Sequence, residues 1–172
     1  FFSLMAIDSL SRVLPKWYDW AKRASGLSIL KQASYPFPDI NLKFLGIIVQ
    51  NFRIIRGKET AAFEKWIKKI QEDVSTKLVP SLQHHNMILP DIVYKQQEIN
   101  DSYCLTKIAN FNSLIALSQE HRTPIYDLTS QQLGQTGVVL RKSQEKQEEF
   151  KETFSDLADK VINLTSAYAV SN

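Results

Sequence analysis

Phe44-Leu45-Gly46-Ile47-Ile48-Val49 is the stretch whose reading decides the fold class. Apolar and largely β-branched, with no polar alternation, it predicts a strand buried on both faces of a parallel sheet. A basic turn from Arg53 to Lys58 follows. Beyond it, Ala62, Phe63, Trp66, Ile67 and Ile70 recur at helical spacing, with Lys65, Lys68 and Lys69 off the stripe. Strand, turn and helix in this order make half of a βαβ unit.

Upstream, Leu4, Ile7, Leu10, Leu14, Trp17 and Ala21 recur every three or four positions and predict a helix from Ser3 to about Ala24. Ser3 suits its N-cap and Gly26 its end, while Pro15 is expected to kink it or to open a second helix, because proline has no N–H to donate. Trp17 and Trp66 fall on apolar stripes and are expected in the core, whereas Trp20 is expected to be partly exposed. Tyr35-Pro36-Phe37-Pro38-Asp39 reads as a loop. From Val79 to Tyr103, Pro80 and Pro90 break the pattern, and no element is assigned.

Downstream, a helix is expected over Phe111 to Glu120, then an extended segment from Pro124 to Leu128, with Thr129 or Ser130 capping the next element. Phe150, Phe154, Leu157, Val161 and Leu164 mark a long terminal amphipathic helix from Val138 to about Tyr168.

The 172 residues suit one domain, residues 1–172. With 44% apolar and 23% charged residues, the composition is that of a globular chain and not of a disordered one. No apolar run approaches the roughly 20 residues that cross a bilayer. One cysteine, Cys104, excludes an internal disulfide and agrees with a reducing compartment. The net charge of +3 is a mild excess.

No Gly-x-x-x-x-Gly-Lys-Ser/Thr sequence occurs, and the five glycines build no phosphate cradle. Nor does an Asp follow an apolar strand where it would hold magnesium. His84, His85, His121 and Cys104 lack zinc spacing, and no motif activates a nucleophile, so neither a metal site nor a catalytic residue is expected. Arg53, Arg56 and Lys58, extended by Lys65, Lys68 and Lys69, form a basic cluster. Such a cluster suits sequence-independent contact with phosphates, although a solvated helix face has the same pattern.

Three segments, in this order, resemble one family. Phe2-Ser3-Leu4-Met5-Ala6-Ile7-Asp8-Ser9-Leu10, with Val13-Leu14 and Trp17, looks like the helix after the post-switch strand of ParA/Soj-like (MinD-like) partition ATPases. Leu45 to Phe52, continuing through Arg56-Gly57-Lys58 to Ile67, is similar to that family's next strand and helix. Phe111-Asn112-Ser113-Leu114 through Pro124-Ile125-Tyr126-Asp127-Leu128 and Gly134 resembles its last loop and terminal helix.

The resemblance implies an α/β fold that is part of a P-loop NTPase-like parallel sheet with flanking helices. It carries over Asn51 and Pro124 as adenine-side residues, and it assigns nonspecific DNA binding to Arg53, Arg56, Lys58, Lys65, Lys68 and Lys69. The complete protein would use ATP and magnesium, form a homodimer, meet a ParB-like partner and act in plasmid or chromosome partitioning on the nucleoid in the cytoplasm. The segments that hold phosphates and magnesium would precede Phe1, so this chain alone is expected to bind no cofactor tightly. The alternative is a noncatalytic helical protein-interaction module or a degenerate relative.

Overall fold

The computed structural model describes residues 2–35, 40–52, 54–55, 58–59, 61–100, 102–111 and 113–170. Of the positions singled out in the sequence, Arg53 and Arg56 lie outside the described residues, as do Pro36 to Asp39.

Helix α1 (Phe2–Ser25) runs unbroken past Pro15. Proline cannot donate to the carbonyl four residues back, here that of Ser11. The Ser81 hydroxyl donates to that carbonyl instead, at 2.5 Å, so the gap in the helical ladder becomes a tie to a neighbouring helix. The face of α1 that meets the core is Leu4, Ile7, Leu14 and Tyr18. This is one step round from the expected stripe. Trp17, expected in the core, is 64% exposed, and Trp20 is 62% exposed. After Gly26 comes one turn of helix, α2 (Ser28–Lys31).

The first strand, β1, spans Ile47–Phe52 and not residues 44 to 49. Gly46 marks the difference. Its φ is +149°, and a Cβ there would stand 2.6 Å from the carbonyl oxygen of Tyr103. Only glycine permits this approach, which lets the Ile47 amide donate to Tyr103 at 2.7 Å and open the ladder. Phe44 bridges to Ile88 instead, its amide donating to Met87 at 2.7 Å.

β1 pairs in parallel with a strand at Cys104–Ala109, here β4, for which the sequence carries too little apolar patterning: Thr106 and Lys107 interrupt it. The expectation of burial on both faces fails. Val49 packs on Ile67, but Ile48 on the opposite face is 45% exposed. Two strands are too few to need cover on both sides along their length.

Between β1 and β4 lie a short antiparallel pair, β2 (Ile54–Ile55) with β3 (Lys58–Glu59), and a long helical run. That run is α3 (Ala61–Asp73), a π-helical turn (Val74–Leu78) and α4 (Val79–His84). Pro80 sits in the first turn of α4, where a missing N–H is tolerated. Trp66, expected in the core, is 46% exposed because Ile67, Ile70 and Val74 take the inner face. Helix α5 (Asp91–Gln96) then leads to β4.

After β4 come α6 (Ser113–His121), a 3-10 turn (Ile125–Asp127), α7 (Ser130–Leu133) and α8 (Gly137–Val170). The extended segment expected over Pro124 to Leu128 is therefore curled, with the Asp127 amide donating to Pro124 at 3.0 Å. Thr129 is the N-cap of α7, with Gln132 closing a capping box.

Helices cover the strand pair from two sides. α1, α3 and α4 enclose Ile7, Tyr18, Val74, Leu78, Val79, Leu82 and Met87 against Phe44 and Ile47. α5 and α8 enclose Leu89, Val93, Tyr94, Ile99 and Leu164 against Leu105. Tyr94 joins the strand approach to α5: its hydroxyl donates to the Phe44 carbonyl and accepts from the Leu89 amide at 3.3 Å. Burial pushes this phenol up to about 12. The result is a helix-rich α/β fold with a two-stranded parallel sheet and a long C-terminal helix. Among the described residues no helix is long and apolar enough to cross a membrane.

Candidate functional site

Parallel pairing puts the carboxyl ends of β1 and β4 on one edge, the edge where ligands sit in open α/β sheets. Asn51 lies there. It falls in the shift of register between Gln50, opposite Ile108, and Phe52, opposite Ala109. A residue in such a bulge is released from the regular ladder.

Pro124 is exposed and starts the 3-10 turn with φ −53° and ψ 148°. Its neighbour Ile125 is buried with Phe111, Leu114, Leu128 and Leu133, and Ile108 packs against the same group. One apolar cluster thus ties the Pro124 turn to the strand position opposite Gln50.

Beside this turn an open cleft of about 540 Å³ is lined by Tyr126, Arg141, Gln144, Glu145, Gln147 and Glu148. Gln147 is buried, and its amide nitrogen donates to the carbonyls of Ile125 at 2.7 Å and Leu128 at 2.9 Å. This side chain fixes the 3-10 turn on α8. The sequence reading missed it, although Gln147 stands on the inner stripe of α8, two turns after Leu140 and one turn before Phe150. A glutamine on an apolar stripe is the signal of a buried hydrogen-bonding role.

The basic cluster divides. Lys58 pairs with Ile55 in the β2–β3 ladder, while Lys65, Lys68 and Lys69 are exposed on α3. Two of these three face carboxylates. Lys68 is 2.8 Å from Glu64, and Lys69 is 3.5 Å from Asp73 and 3.8 Å from Glu72. The hydrogen bond from Lys68 holds the Glu64 carboxyl below its ordinary value, and Lys107 adds to the effect. Asp73 is held low first by the Lys77 ammonium at 3.1 Å and then by Lys69, against its burial. The Lys68–Glu64 pair is exposed and therefore weak, so a phosphate can replace that carboxylate at small cost.

Cys104 is half-buried on β4, and burial pushes its thiol up, which disfavours the nucleophilic thiolate. His84 and His85 meet edge to face at 5.4 Å, and His85 Nδ1 lies 3.4 Å from Asp19. Among the described residues, no three His, Cys, Asp or Glu side chains are grouped to hold a metal ion.

Comparison of the chain with protein-family models, with curated proteins and with solved structures finds no match.

Proposed function

We propose that this chain is the C-terminal part of a ParA-like partition ATPase, a protein switched by ATP and magnesium that binds DNA nonspecifically as a homodimer and answers to a ParB-like partner. One observation carries the reading. The three resembling segments coincide with α1, with β1 running into α3, and with α6 running into the 3-10 turn, and Asn51 stands at the carboxyl end of β1 while Ile125, beside Pro124, shares a cluster with Ile108 of β4.

The open sheet supports it as well. β1 has one strand neighbour among the described residues and exposes Ile48, so its outer edge suits a further parallel strand from the rest of an ATPase domain. In this reading the chain alone supplies no phosphate-binding loop, and magnesium-dependent ATP hydrolysis by the purified chain stays at background.

The decisive experiment uses the product of the complete coding sequence. With ATP bound, Arg53→Ala, Arg56→Ala and Lys58→Ala together are expected to weaken binding to all DNA sequences alike. They lower the magnitude of the salt slope by roughly one for each phosphate no longer neutralised. Unchanged affinity and slope in a folded variant would refute the DNA assignment, and a coding sequence without a phosphate-binding loop would refute the ATPase reading. A second reading, a noncatalytic interaction module, is favoured by the exposed indoles of α1, and that same coding sequence separates the two.

A further inference from the structure

The outer side of α1 carries an apolar strip that the core does not use. Leu10, Val13, Trp17 and Trp20 follow one another at spacings of three, four and three, which places them within about 80° around the helix axis. One edge of this strip borders the face packed on α3 and α4. The other edge carries the cations Lys16 and Arg23. Past Gly26, Leu27 and Ile29 are exposed as well, and the exposed Lys31 follows them.

We propose that this face of α1 and α2 docks on an anionic lipid surface, with the two indoles at headgroup depth and Lys16, Arg23 and Lys31 on the lipid phosphates. The inference is independent of the ATPase reading.

Charge complementarity selects the lipid. Asp8 pairs with Arg12 and Asp19 faces His85, and among the described residues neither carboxylate forms an ion pair with Lys16 or Arg23, the cations beside the indoles. A second copy would bring the same cations to the contact. Duplex DNA would satisfy the cations but offers no apolar phase to Leu10, Leu27 and Ile29. An anionic bilayer surface satisfies both, because tryptophan partitions to the interface and lysine and arginine reach phosphates while their stems stay in the apolar zone.

The test uses the whole chain carrying Trp66→Phe, so that Trp17 and Trp20 alone report. It is mixed with vesicles of phosphatidylcholine, or of phosphatidylcholine with roughly one-third phosphatidylglycerol. Sedimentation with the anionic vesicles and a blue shift of the indole emission are expected, both weakened by salt. Trp17→Ala with Trp20→Ala should lower partitioning at least about tenfold, and Lys16→Glu with Arg23→Glu by a similar factor, with the circular dichroism spectrum unchanged because all four side chains lie outside the core. The proposal is overturned by a folded chain that ignores anionic vesicles. It is overturned equally by binding that neither pair of substitutions reduces, or by a dimer that needs Trp17 and Trp20 and binds no vesicle.

Discussion

α1 and α8 are the two long helices, and both lie along the core, yet they meet water in opposite ways. The outward side of α8 is a ladder of charge. Glu145, Glu148, Glu149, Glu152, Asp156 and Asp159 follow at spacings that keep them on one side, with Arg141 bonded to Glu145 at 3.1 Å and Lys160 to Asp156 at 2.8 Å. Lys160 also donates to the Leu105 carbonyl at 3.0 Å, which fastens α8 to β4. The outward side of α1 presents two indoles. A hydrophobic period therefore locates a helix without saying which of its apolar residues are covered.

The contrast can be broken most sharply by substitution on the two helices. Leu164 of α8 is fully buried among Leu89, Val93, Tyr94 and Leu105, so Leu164→Ala should cost about 2–5 kcal/mol, read from the urea midpoint. Trp17→Ala, although it removes a far larger side chain, should stay within about 0.5 kcal/mol of the parent. Similar losses at the two sites would mean that the indole is covered after all.

A second, smaller effect belongs to α8 alone. Gln147→Ala leaves the carbonyls of Ile125 and Leu128 without their donor, at an expected cost of about 1–3 kcal/mol. Hydrogen exchange should show the Pro124 turn opening before α8 itself. If the loss is spread evenly over the chain, Gln147 is not a local clasp.

Much of the helical fold was legible in the sequence because amphipathic helices write their period directly. α1, α3, α6 and α8 all fall where the spacing places them. The phase of α1 was misread at Trp17, since Tyr18 carries the inner stripe where Trp17 was the more apolar choice. β4 was missed because only Leu105 of its six residues is buried, so the strand needs few apolar residues, and Lys107 sits in its middle. The Gly46 approach and the Gln147 clasp depend on backbone groups far away in sequence, which no local pattern encodes. Asn51 and Pro124 came from resemblance, which no local period encodes; Ile108, opposite Gln50, and Ile125, beside Pro124, share one cluster.

The smallest expected effect concerns how α1 stays continuous through Pro15. Pro15 removes the N–H that would bond the Ser11 carbonyl, and Ser81 of α4 supplies a hydroxyl in its place. Ser81→Ala alone leaves that half-buried carbonyl short of a donor and should cost about 1 kcal/mol. In a Pro15→Ala background the helix regains its own N–H, so the same Ser81→Ala change should cost less than about 0.5 kcal/mol. The quantity that decides is the coupling between the two positions and not the stability of either variant, because Pro15 is itself buried and its replacement also alters packing. Equal costs for Ser81→Ala in the two backgrounds would show that the hydroxyl does not stand in for the missing amide. A coupling near the full single-site cost would show that α1 and α4 are joined by the bond that proline made vacant.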